Sequence, residues 1–234
     1  MKHSTLVSMA NYYINSYAPL VASPAGRIAS QELGIPPFVD GSIRREPDLE
    51  HEFPSISCLC RAGKFAPRLR PGDGVVYMTK AGRYGETDED RRNNKVHRRL
   101  VAVLQVLEDL PSHADAERWY RSQNLPLPSN CMVHGNPPKP LEESHRLFNA
   151  SACAGEATTH AEWDRSYRAR SMKYRKFVVC KLLWRELGFK ARIVLKEDLV
   201  AIFGGIPGTQ NPGRLERDAV QSLLRRFDIE VTLS

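Results

Sequence analysis

The stretch LRPGDGVVYMTKAG, Leu69 to Gly82, dictates local geometry more firmly than any other part of the chain. Pro71 sets φ at the first corner of a turn, Gly72 and Gly74 permit positive φ, and Asp73 is placed to bond backbone amides just downstream. Val75, Val76 and Tyr77 are β-branched or aromatic, so the run is a strand entered through a tight turn. Its side chains alternate. One face carries Val75, Tyr77 and Thr79, the other Val76, Met78 and Lys80, and the pattern leaves open which of them meets the core.

Other segments supply partners for this strand. NYYINSYA, Asn11 to Ala18, is rich in strand-forming residues and reads as the first strand. RRLVAVLQVLEDL, Arg98 to Leu110, is a nearly continuous apolar run that suits a central strand, with a helix as the competing reading. ISCLC, Ile56 to Cys60, fits a strand or the start of a short helix. After Leu110, Ser112 is placed to cap a helix, with Asp115 three residues on. KEDLVAIFGG reads as a short helix ended by Gly204, and RLERDAVQSLLRRF as an amphipathic helix. Residues 19–56 and 124–149 are Pro-rich and irregular, and 83–97 reads as an exposed polar loop. A loop as long as 19–56 is usually functional or wraps the core. No repeat or clean linker divides the 234 residues, so one domain is expected, with Met9 a candidate start that would leave Met1 to Ser8 a loose extension.

Charge is distributed unevenly. Residues 1–162 balance, with 19 basic and 19 acidic side chains, whereas residues 163–234 carry 15 Lys and Arg against 8 Asp and Glu, which accounts for the net charge of +7. Ten basic residues and one acidic residue, Glu186, lie between Arg165 and Arg192. A basic stripe confined to one segment suits a polyanionic partner, and a solvated surface is the plainer alternative. No apolar run approaches the roughly 18 residues that span a bilayer. The N-terminus has no apolar core of the kind a secretory signal needs. Five scattered cysteines show no disulfide rhythm, which suits the cytoplasm.

Taken in order, these pieces resemble the PUA-like superfamily. NYYINSYAP resembles the aromatic-rich opening strand of its EVE-type members, and LRPGDGVVYMTKAG looks like the superfamily's Gly-Asp turn with the strand that follows. RRLVAVLQVLEDL is similar to the next strand, which crosses the barrel, and FVVCKLLWRELGFKA resembles a late strand, which favours strand over helix there. The nearest group is the nucleotide-modification-associated proteins of bacteria and phages. The insert DGSIRREPDLE, Asp40 to Glu50, and the last helix stand outside the general pattern. The resemblance implies an α+β fold, a strongly curved β-barrel with flanking helices, and the basic part from residue 163 packed on it. It also implies a nucleic-acid partner, DNA in preference to RNA, with one modified base flipped into a pocket beside the first strand.

On that reading the base pocket draws on Tyr12 or Tyr13, Asn15, Ser16, Tyr17, Tyr77, Thr79 and Lys80, since an extruded base needs aromatic faces and a few hydrogen bonds to its edge. The same tyrosines would equally serve to fill a barrel. Arg165, Arg168, Arg170, Lys173, Arg175 and Lys176 are the phosphate-binding candidates, interleaved with Trp163, Tyr167 and Tyr174. Arg44 and Arg45 could add contacts, but Glu46, Asp48 and Glu50 beside them favour local ion pairs. Cys58, Cys60, Cys131 and His134 would be a cramped zinc set, and core packing is the better account of the cysteines. No nucleophile elbow, phosphate-binding Gly-rich loop or deaminase signature is present, and no cofactor is implied. An enzyme acting on a nucleotide, with Cys58, His97 or His145 in the chemistry, and a protein-interaction adaptor remain the alternatives.

Overall fold

The structure is a computed structural model and describes residues 10–59, 63–139, 157–209 and 211–233. It is α+β: a strongly curled mixed sheet, a half-barrel, flanked by six helices among the described residues. The strands are β1 (Tyr12–Tyr17), β2 (Ser55–Ser57), β3 (Gly74–Thr79), β4 (Arg98–Leu110), β5 (Phe177–Arg185) and β6 (Arg192–Val194). Their order is β1-β3-β4-β5-β2, with β6 also on β4. β1 and β3 run parallel, Tyr12 opposite Gly74 and Tyr17 opposite Thr79, while the β3–β4, β4–β5, β2–β5 and β4–β6 pairs are antiparallel. The long β4 carries the curl. Its register against β5 shifts twice, between Val103 and Leu104 and between Val106 and Glu108, and such bulges bend a strand and deepen its twist.

The turn before β3 shows how a local sequence serves the sheet. Gly72 takes φ +93°, as a turn glycine should. Gly74 is needed for a different reason. Its φ is ordinary, and a Cβ there would lie 2.6 Å from the Tyr12 ring, so the glycine lets β1 and β3 close together. Asp73 reaches back to Arg70 N (3.0 Å) and to Asn11 N (2.8 Å) and Nδ2 (3.1 Å), clamping the turn to the start of β1 instead of bonding amides downstream. Gly74→Ala is expected to lower stability by about 1–3 kcal/mol, read from a urea melt, because the Tyr12 ring is packed and has little room to retreat.

Both faces of the sheet are covered, which settles the open question about β3. Val75 and Tyr77 enter one apolar cluster and Val76 and Met78 another. The first cluster takes in Phe38, Val39, Ile43 and Leu49 from the long irregular segment and Trp163 and Tyr167 from helix α4 (His160–Lys173). The second is closed by Leu199 of α5 (Lys196–Phe203) and by Val220, Leu223 and Leu224 of α6 (Arg217–Arg226). A third joins Phe177 and Val179 to Ala116 and Tyr120 of α3 (His113–Ser122), whose N-terminus Ser112 caps by accepting from Asp115 N.

Two segments differ from the expectation, and a third divides between helix and strand. Residues 19–56 do wrap the core, but they contain α1 (Pro24–Leu33), capped by Ser23 and ended by Gly34 in the left-handed conformation. Pro24 had pointed to irregular chain, yet proline in a first helical turn leaves no amide unsatisfied. The polar loop at 83–97 holds a short helix with no buried residue, α2 (Asp88–Asn93), begun by the Thr87–Asp90 capping box. The run from Tyr167 to Gly188 divides: its basic part completes α4 and FVVCKLLW forms β5, as the resemblance implied. Among the described residues no helix is long and apolar enough to cross a membrane. Residues 1–9, including the proposed extension, lie outside the described residues.

Candidate functional site

The aromatic group proposed as a base pocket is distributed over both sides of the sheet. Tyr12 packs with the α5–α6 side, whereas Tyr13, Tyr17 and Tyr77 face the other, and all four are 1–5% exposed. Tyr17 and Tyr77 lie 6.1 Å apart, Asn15 Nδ2 donates to Tyr77 OH (3.5 Å), and Tyr17 OH donates to the Phe38 carbonyl. Burial pushes the Tyr17 phenol well above its ordinary range. Ser16 Oγ donates to Thr209 Oγ1 (2.8 Å), and Thr79 Oγ1 accepts from Arg99 N (2.8 Å). Lys80 is on the surface. The structure thus brings Asn15, Tyr17 and Tyr77 together, with their polar atoms engaged by neighbours and Thr79 opposite Tyr17, and leaves Tyr12 on the other face of the sheet and Lys80 at the surface.

The insert DGSIRREPDLE carries the denser chemistry. Asp40, Ser42, Arg44, Arg45, Glu46 and Asp48 are all buried. Arg45 pairs locally with Glu50 (Nε to Oε2, 2.8 Å), as expected, and its Nη1 donates to the Asp40 and Ser42 carbonyls (both 2.8 Å). Arg45 takes φ +40°, a left-handed conformation whose strain, of order 1–3 kcal/mol, such bonds must outweigh. Arg44 does not pair locally. Its Nε donates to Asp164 Oδ1 on α4 (2.6 Å), and its Nη1 to the carbonyls of Ser129 (3.0 Å) and Asn136 (3.1 Å). Glu46 accepts from Ser57 N (2.9 Å), Ser57 Oγ and Asn130 Nδ2 (3.2 Å), but burial outweighs these bonds and pushes its carboxyl up to about 8.

This buried loop supports one wall of a cavity of about 450 Å³. Asp48 and residues 50–52 form that wall, and residues 126–129 and 136–139 face it. Asp48 Oδ2 accepts from both N and Oγ of Ser129 (2.8 Å each), tying the walls together, while Oδ1 accepts from Glu50 N (3.2 Å). Arg185 Nη1 donates to the carbonyls of Leu49, Glu50 and His51 from behind (2.6, 3.1 and 3.2 Å). His51 Nε2 lies 2.8 Å from the Pro126 carbonyl, and Nδ1 lies 3.0 Å from both the N and the carbonyl oxygen of Phe53, so the ring is a strut between the two walls. Glu50 Oε1 and the exposed Glu52 have no hydrogen-bond partner among the described residues, and Lys139 Nζ stands 3.6 Å from Glu50 Oε2.

The basic candidates on α4 and after it sort into two sets. Arg168 pairs with Asp164 (2.9 Å) and donates to the Val133 and Asn136 carbonyls (3.4 and 3.3 Å); Arg170 stacks over Tyr167 and bonds Ser166; Lys176 pairs with Asp109 (2.5 Å). These hold the fold. Arg165, Lys173 and Arg175 are exposed, with no carboxylate within ion-pair distance among the described residues, although the Arg165 charge helps to lower the Glu162 carboxyl. Trp163 and Tyr167 are fully buried, so they face the core and not solvent.

The remaining candidates have structural places. Cys58 and Cys131 lie in different apolar clusters, and burial pushes both thiols up to about 12. His134 is exposed. Among the described residues no group of three or more His, Cys, Asp or Glu could hold a metal ion, and Cys60 and His145 lie outside them. His97 is buried, bonding the Lys95 carbonyl through Nδ1 (2.8 Å) and accepting from Arg99 Nε (3.1 Å). Compared with protein-family models, with curated proteins and with solved structures, the chain matches none.

Proposed function

We propose that the chain is a PUA-like nucleic-acid-binding protein that holds one extruded base in the cavity between residues 48–52 and 126–139. The exposed cations of α4 grip the phosphates nearby. The curled half-barrel is compatible with that superfamily. A setting in DNA modification, or in sensing it, rests on the resemblance of the strand motifs. The observation that carries the reading is a shared wall: Asn136 lines the cavity, and its carbonyl accepts from both Arg44 and Arg168, which meet on Asp164 of α4. A basic helix and a concave site are thereby joined within one loop. The base goes to this cavity and not to the tyrosine cluster because those rings are packed and their hydroxyls engaged.

The test is fluorescence anisotropy with oligonucleotides bearing unmodified, methylated and hydroxymethylated bases, single- and double-stranded, at two salt concentrations. Replacing Arg165, Lys173 and Arg175 together by Gln should weaken binding of every oligonucleotide and flatten the log–log salt slope by about 2 if all three contact a single strand. An undetectable affinity in the native chain, or an unchanged slope in the triple variant, would remove the reading.

A further inference from the structure

We infer that the cavity selects its base by a donor edge, two adjacent N–H groups beside a carbonyl, the edge that guanine alone among the standard bases presents. The inference rests on the nucleic-acid reading above and adds to it the identity of the base.

The acceptor comes from Glu50. Its Oε2 is fixed by Arg45 Nε at 2.8 Å, and Arg45 is itself buried and bonded to two carbonyls, so the carboxylate is held in place before any ligand arrives. Its Oε1 has no partner among the described residues. A carboxylate offers two oxygens side by side and pairs best with two donors side by side. Guanine supplies these as N1–H and its 2-amino group. The other bases do not: adenine and cytosine each set an amino group beside a ring acceptor, and thymine sets one N–H between two carbonyls. An acceptor facing Glu50 would be repelled.

The donor comes from Lys139, whose Nζ lies beside the same carboxylate from the opposite wall, where it would meet the carbonyl next to guanine N1. A second unused donor stands behind this wall. Arg44 Nη2, on a fully buried side chain whose Nη1 bonds the carbonyls of the cavity residues Ser129 and Asn136, has no hydrogen-bond partner among the described residues. Leaving a buried donor open is costly, and an acceptor entering this wall would relieve it.

The remaining walls fit a flat ring. Pro126, Pro128, Pro137 and Pro138 present apolar faces and no backbone N–H, and about 450 Å³ is within the range of small-molecule sites. Asp48, Glu50 and Glu52 against one Lys139 make the cavity hostile to phosphate, which keeps the backbone outside, on α4.

The experiment uses the full chain and single-stranded thymine oligonucleotides carrying one central guanine, inosine, adenine or cytosine, read by anisotropy. Inosine is guanine without the 2-amino group, so it removes one donor and leaves the protein untouched. The guanine oligonucleotide should bind at least about tenfold tighter than the inosine one, the scale of one good bidentate contact. Glu50→Gln should bring the two within about twofold of each other, and Glu52→Gln, at the exposed rim, should preserve most of the preference. Should Glu50→Gln fail to fold because Arg45 loses its partner, the inosine comparison decides alone. Equal, salt-sensitive binding of all four would overturn the base selection while leaving the nucleic-acid reading intact. No binding of any of them would overturn both.

Discussion

Replacing Asp164 by Ala is expected to destabilise the protein by about 3–5 kcal/mol, measured by urea or thermal unfolding. Asp164 is the only carboxylate within ion-pair distance of the Arg44 guanidinium among the described residues, and that guanidinium is fully buried. Burial alone would raise the Asp164 carboxyl; the bonds and charges of Arg44 and Arg168 together hold it below the ordinary carboxylate range. Without it, a buried cation would keep two carbonyl bonds and lose its counter-charge. Arg168 is different, since 42% of its side chain is exposed, and Arg168→Ala should cost less than about 1 kcal/mol. The double variant Arg44→Ala with Asp164→Ala should cost less than the two single losses added, because the second substitution removes a charge already stranded. Strict additivity would show that the pair is not coupled. Because this pair also anchors the carbonyls of Ser129 and Asn136, Asp164→Ala should weaken any base preference in step with stability.

The second large effect is a pH dependence set by Glu46. Its carboxyl is pushed by burial from an ordinary 4.5 up to about 8, so between those values the native chain holds a proton that the unfolded chain has released. Stability therefore falls as pH rises from about 4.5 to about 8, by on the order of a few kcal/mol, and is level above. His113 acts in the opposite sense. Burial depresses its pKa from 6.5 to about 4, so the unfolded chain takes up the proton first and stability rises with pH across that interval. From about 4.5 to 6.5 the two contributions oppose each other, and from 6.5 to about 8 the Glu46 fall stands alone. Glu46→Gln mimics the protonated acid, so its melting temperature should stay level over pH 6.5–8.5 while that of the native chain declines. Parallel curves would show that Glu46 is ionised in the folded protein throughout.

Much of the fold is legible in short stretches of sequence. Tyr12 to Tyr17, Gly74 to Thr79 and Arg98 to Leu110 are strands because their residues suit extended chain, and Ser112 and Gly204 mark helix ends because their chemistry satisfies or turns the backbone there. Local signals fail where one residue type serves two purposes. Pro24 opens a helix as readily as it interrupts a chain, and the glycine at 74 answers to a ring 62 positions away, not to its own φ. The candidate site was the least legible part. DGSIRREPDLE has the composition of a solvated turn, and its charges do include one local pair, Arg45 with Glu50.

Sequence alone determined the strands at Tyr12–Tyr17 and Gly74–Thr79, the helix ends at Ser112 and Gly204 and the concentration of positive charge after residue 163, because each depends on neighbours within a few positions. Tertiary structure decided which charges serve as surface and which as core. Arg44 is buried because Asp164, 120 residues away, meets it beside the Ser129 and Asn136 carbonyls, and an exposed Arg165 stands one residue from that carboxylate. A buried charge is tolerable only where partners from distant segments converge on it, and no window of sequence contains that convergence.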